Sequence, residues 1–197
     1  MKKERLTELN AVVWLLRLMN VEAGNDLHAY TGRALLAEFL RTDSRYIIND
    51  KDDPWFSVLL DGLAVVQENN NGAKTTTRVI TAGSLLSLPV NMSGWKNQNV
   101  EVVAVTPTCI GTITAMHYEV ICGMFPVFER AVEAMAKRAV QEQANRAALL
   151  CMEPEKRYVQ FANQLGKPAL RIPDKLLATY LDMDKKTLKQ LRNNRIE

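Results

Sequence analysis

The strongest constraint on the fold is a change of period partway along the chain. From about Arg45 to Thr114 the apolar residues come in short β-rich runs separated by turn residues. After Pro126 they adopt a helical period that lasts about 25 residues. In the first stretch, Ser57-Val58-Leu59-Leu60 is followed by Asp61-Gly62 and then by Leu63 to Gln67. The tip Asn69-Asn70-Asn71-Gly72 tolerates positive φ and predicts a hairpin returning through Thr75 to Ile80. Ala82-Gly83 predicts another turn, and Val100 to Thr106 and Cys109 to Thr114 complete the strands of a small sandwich or barrel. The first forty residues read as helical: Leu6, Leu9, Val13, Leu16, and later Ala34, Leu35, Leu36, Phe39 and Leu40, with a break between Asn20 and Gly32. The chain is therefore α+β.

In the long helical stretch, Phe128, Val132, Met135, Ala139 and Gln143 fall on one broad face with Arg146 and Leu150. A mixed stripe of this kind suits a helix that pairs with a symmetry mate while touching its own β-domain. The competing reading is an amphipathic helix capping the sheet within one chain.

Charge is distributed unevenly. The whole chain carries +3, but the 47 residues from Cys151 to Glu197 hold ten basic and six acidic side chains. The preceding 150 residues sum to −1. Lys185 to Arg195 contains five basic residues and no acid, the electrostatic footprint expected of a nucleic-acid reader.

That basic run lies in a pair of short helices. Arg171-Ile172-Pro173-Asp174 predicts a helix start, because Pro is tolerated in the first turn and Asp accepts from exposed amides. Leu177, Ala178 and Leu181 share a face, Asp182-Met183-Asp184 interrupts, and Asp184 is placed to cap a second helix from Lys185 to about Asn194. With Leu188 and Leu191 turned inward, the remaining surface carries Lys185, Lys186, Thr187, Lys189, Gln190, Arg192 and, beyond it, Arg195. This is helix-turn-helix spacing. Lys and Arg neutralise phosphates, and Gln and Arg also make bidentate contacts to base edges.

The order of these parts resembles the Crp/Fnr family of bacterial transcription regulators, from about Arg45 onward. The most specific match is Ile172-Pro173-Asp174-Lys175-Leu176-Leu177-Ala178-Thr179-Tyr180-Leu181, which resembles the family's first helix of the pair. Thr187 to Arg192 stands where the recognition helix lies, Gly62 and Gly83 where roll turns are expected, and Met116 to Phe128 at the join to the long helix. The resemblance implies a sensor β-roll with N-terminal helices over residues 1–124, a dimerisation helix over 125–151 and a DNA-binding domain over 152–197. It also implies a cytoplasmic homodimer that binds duplex DNA, with RNA polymerase and a small-molecule effector as further partners.

The departures narrow this. Asp182 replaces the usual Gly of the turn, and Lys189-Gln190 replaces a Ser-Arg pair, so base preference does not transfer. The sequence ends at Glu197, so no wing hairpin is expected behind the recognition helix. In the roll, Gly83, Ser84, Ser87, Gln98 and Asn99 are the ligand-pocket candidates. Leu88 falls at about the ribose-binding Glu, and Gln98-Asn99 at about the phosphate-binding Arg-Ser pair. Neither residue supplies the charge that offsets desolvation of a phosphate diester, so no response to cyclic AMP or cyclic GMP is expected.

Other cofactors find little support. The three cysteines, Cys109, Cys122 and Cys151, match neither zinc nor iron-sulfur spacing and read as reduced thiols. His28 and His117 are the only histidines, which disfavours haem. No apolar run approaches the roughly 20 residues of a membrane span, and the basic N-terminus is not followed by a signal-peptide core. Phosphate-loop, zinc-protease and nucleophile-elbow motifs are missing, and Asp50, Asp52 and Asp53 read as an acidic turn, so no enzymatic activity is expected. The alternative function is a β-roll module that binds a small ligand or a protein, with the C-terminal helices as a structural hairpin.

Overall fold

The structure, a computed structural model, describes residues 10–22, 24–47, 55–70, 72–87 and 100–193. Helices α1 (Ala11–Leu18) and α2 (Asn25–Ala34) precede eight strands: β1 (Leu36–Leu40), β2 (Arg45–Ile47), β3 (Trp55–Asp61), β4 (Leu63–Asn70), β5 (Ala73–Thr81), β6 (Leu85–Ser87), β7 (Val100–Ala104) and β8 (Thr108–Thr114). They form two antiparallel four-stranded sheets, one in the order β1-β8-β3-β6 (sheet A) and the other β2-β7-β4-β5 (sheet B). Then come α3 (Ala115–Met124), α4 (Pro126–Leu150), α5 (Pro154–Leu165), a 3-10 turn (Lys167–Arg171), α6 (Asp174–Tyr180) and α7 (Lys185–Asn193). Among the described residues no helix is long and apolar enough to cross a membrane.

Strand alternation explains why the strands are apolar on both faces. In β3, Phe56, Val58 and Leu60 join a core with α1, α2, α3 and the first half of α4, while Leu59 points between the sheets. In β4, Ala64 and Val66 point between the sheets, and Leu63 and Val65 face a further core shared with the C-terminal helices. Phe56, Tyr118 and Phe128 tie β3, α3 and α4 together, with ring centroids 5.6 to 6.5 Å apart. Gly62 has φ +100°, and a Cβ there would lie 2.5 Å from the Thr108 hydroxyl oxygen, so this turn requires glycine.

The helical reading of residues 35–40 is corrected. Leu35 already has extended dihedrals, and Leu36 to Leu40 pair with Thr112 to Thr108 as an edge strand. A short apolar run does not distinguish helix from strand, and the partner strand here lies some 70 residues on. The expected break falls within the stretch from Asn20 to Gly32: α1 ends at Leu18, Asn20 takes φ +55°, and α2 begins at Asn25. Leu6 and Leu9 lie outside the described residues.

The long helix has the expected extent, 25 residues from Pro126. Its stripe is differently employed. Phe128, Val132, Met135 and Ala139 are all buried in the chain's own core against the N-terminal helices and sheet A, so they cannot face a symmetry mate. Gln143 alone of that set is exposed. Helical spacing identifies a face to be covered but not what covers it.

Candidate nucleic-acid interface

The C-terminal helix pair is built around Leu177, Leu181 and Leu188, each fully buried, with Ala178 allowing α6 and α7 to approach closely. Between the helices Asp182 takes φ +48°, the left-handed conformation. Asp184 caps α7: its Oδ1 accepts from the amides of Lys186 and Thr187 at 2.8 and 2.9 Å, and its Oδ2 accepts from the Thr187 hydroxyl. These bonds, the Thr187 hydroxyl foremost, hold the Asp184 carboxyl below the usual aspartate range.

Lys185, Lys186, Lys189 and Gln190 are exposed on one side of α7. Thr187 is half-buried and its hydroxyl is used in the cap. Arg192 is drawn inward: its Nη1 is 2.5 Å from the Asp174 carboxylate, and its Nη2 donates to the carbonyls of Ala169 and Ile172 at 3.1 and 2.8 Å. A basic residue counted toward the outer face thus braces α7 against the start of α6. Arg195 lies outside the described residues.

Sequence reasoning missed Arg157. This side chain is buried, and its guanidinium donates to the carbonyls of Leu150, Met152, Leu181 and Asp182 at 2.5 to 3.3 Å. It therefore joins the end of α4 to the turn between α6 and α7. Nothing in its local sequence, Lys156-Arg157-Tyr158, separates it from a solvated base. The pair is further fixed to sheet B. The Thr179 hydroxyl donates to that of Thr76 at 2.9 Å, and Arg146 on α4 donates to the carbonyls of Thr76 and Tyr180 while stacking 5.0 Å from the Tyr180 ring centroid.

The roll's pocket candidates separate. Gly83 makes the turn between β5 and β6 with φ +87°, and the Ser84 hydroxyl accepts from the Thr81 amide at 3.2 Å. Ser84 and Ser87 are buried. Gln98, Asn99, Leu88 and the acidic residues Asp50, Asp52 and Asp53 lie outside the described residues. The described space between the sheets is lined by aliphatic side chains, among them Leu59, Val66, Ile80, Leu86, Val102 and Ile110. Burial pushes the Cys109 thiol up to about 12 and raises that of Cys122, which disfavours the thiolate form at both.

No family model matches the sequence, and neither does any curated protein. Solved structures match throughout. FixK2 from Bradyrhizobium japonicum is 13% identical, with 81% of this chain and 83% of that chain covered at a TM-score of 0.67. A CooA mutant from Carboxydothermus hydrogenoformans is 15% identical, with 96% and 85% covered and a TM-score of 0.67. A Crp/Fnr-family transcriptional regulator from Eubacterium rectale is 15% identical, with 88% and 84% covered and a TM-score of 0.62. Two four-stranded sheets, a long helix and a terminal helix pair in this order give the chain the fold of the Crp/Fnr regulators.

Proposed function

We propose that the protein is a dimeric, sequence-specific duplex-DNA-binding transcription regulator that does not respond to cyclic AMP. The observation that carries this reading is the capped helix α7, anchored by Leu188 and exposing Lys185, Lys186, Lys189 and Gln190 together. In this reading the three lysines contact phosphates and Gln190 reads a base edge. Arg192 has an internal role, since its guanidinium is already paired.

The second copy packs on the outer side of α4, where Val140, Ala144, Ala147 and Cys151 recur at alternating spacings of three and four and are all exposed. Two recognition helices related by the resulting two-fold axis would engage half-sites about 34 Å apart, so the operator is palindromic. The aliphatic lining between the sheets and the uncharged Gln98-Asn99 pair support indifference to cyclic AMP.

Selection of bound sequences from a random duplex pool, followed by titration of the selected site at rising salt, tests the reading. A palindromic site whose affinity falls steeply between about 50 and 200 mM salt is expected. Failure to enrich any duplex would instead favour the β-roll module with a structural helix pair. Calorimetry with cyclic AMP should give no saturable heat.

A further inference from the structure

Lys186 and Gln190 stand two residues before and after the buried Leu188, about 200° around a helix of about 3.6 residues per turn, so both side chains point away from the core. Lys185 and Lys189 flank them, Asn193 follows as the last residue of α7, and all five are exposed. Two groups that could read other base edges are already engaged within the protein. The Asp184 carboxylate, the kind of group that accepts from cytosine N4, caps α7 and takes the Thr187 hydroxyl with it. The Arg192 guanidinium, the kind of group that forks onto guanine O6 and N7, is held by Asp174, Ala169 and Ile172.

What the exposed face of α7 offers is therefore lysine, which only donates, and two carboxamides, which donate and accept at once. Among the described residues the Gln190 amide makes no hydrogen bond within the chain. Of the four bases, adenine alone presents a donor beside an acceptor in the major groove, N6 next to N7, and one carboxamide satisfies both. Guanine presents two acceptors there, so the amide oxygen would meet a second oxygen and lose its bond. A recognition helix enters the groove by its N-terminal part, which favours Gln190 over Asn193. We propose that Gln190 selects adenine, pairing its carboxamide with N6 and N7 of one A·T pair in each half-site while the surrounding lysines hold phosphates. This assignment rests on α7 being the recognition helix of a DNA-binding regulator and adds the identity of the base.

The test uses the whole chain and the duplex recovered by selection from a random pool. Each adenine of the half-site is replaced in turn by 7-deazaadenine, which keeps Watson–Crick pairing and N6 but carries carbon in place of N7. At one adenine the replacement should weaken binding by the native chain about tenfold. Gln190→Ala should bind the unmodified duplex about tenfold more weakly and lose nothing further on the modified one. Gln190→Arg should turn the preference at that pair from A·T to G·C. Lys186→Ala and Asn193→Ala should keep the 7-deazaadenine effect, Lys186→Ala from a lower starting affinity, and circular dichroism verifies that each variant folds.

An enriched duplex on which every 7-deazaadenine affects the native and Gln190→Ala chains equally overturns the adenine assignment and leaves the regulator reading standing. Loss of the effect in Asn193→Ala but not in Gln190→Ala overturns it in the same way. If no duplex is enriched, the assignment and the regulator reading fall together.

Discussion

Arg157 Nη1 donates to the carbonyl of Asp182 at 2.8 Å, and Asp182 is held in the left-handed conformation at φ +48°. The turn between α6 and α7 is built with an aspartate whose carbonyl is held by a buried arginine from α5. Because the same guanidinium also serves the end of α4, the orientation of α7 is referred directly to the long helix.

Arg157→Met should therefore lower the stability of the C-terminal unit by about 2–4 kcal/mol, since it leaves several buried carbonyls without donors. Urea denaturation followed by tryptophan-independent probes on α6 and α7, such as amide exchange, reads the loss. Arg157→Lys should recover only part of it, because an ammonium cannot span four carbonyls. Undiminished protection in α7 would refute the coupling.

The Asp184 cap gives the helix pair an acid sensitivity. Its carboxyl is depressed in the folded state, so its contribution is present above the ordinary aspartate range and is lost as pH falls through the lowered folded value. Amide protection of Lys186 and Thr187 should drop in that acidic window in the native chain, and should be low and flat across it in Asp184→Ala.

Lys186 and Arg192 should separate cleanly although both are basic residues of α7. Lys186→Ala should weaken all duplexes by a similar factor and reduce the salt slope by about one. Gln190→Ala should relax one base position by roughly 1–3 kcal/mol. Arg192→Ala should instead destabilise the fold, with a coupling to Asp174→Ala of about 1–3 kcal/mol in a double-mutant cycle. A purely DNA-side effect of Arg192 with unchanged stability would contradict its internal role.

The two sides of α4 should also respond differently. Met135→Asp places a charge in the core and should unfold the chain. Ala144→Glu, on the outer side, should leave circular dichroism unchanged while shifting sedimentation from dimer to monomer. A dimer that survives Ala144→Glu and Ala147→Glu together would put the interface elsewhere.

What the sequence made legible was local. The Asp184 cap and the buried Leu177-Leu181-Leu188 set follow from spacings within a dozen residues, and the structure has both. Properties set by distant partners were not legible. Leu36 to Leu40 became a strand because β8 offered it an edge, and the stripe of α4 was claimed by the chain's own core. Counting charges placed Arg192 on the surface because a count cannot see Asp174.

Sheet B has one further consequence. Val65 and Val103 point toward the C-terminal helices, while their neighbours Val66 and Val102 point between the sheets. The two halves of the protein thus have a party wall rather than a tether. Cutting the chain after α4 would strip an apolar sheet face of its cover, so the excised roll should be sticky and poorly behaved on its own. Single-methyl changes at adjacent positions of β4 would be felt in opposite rooms.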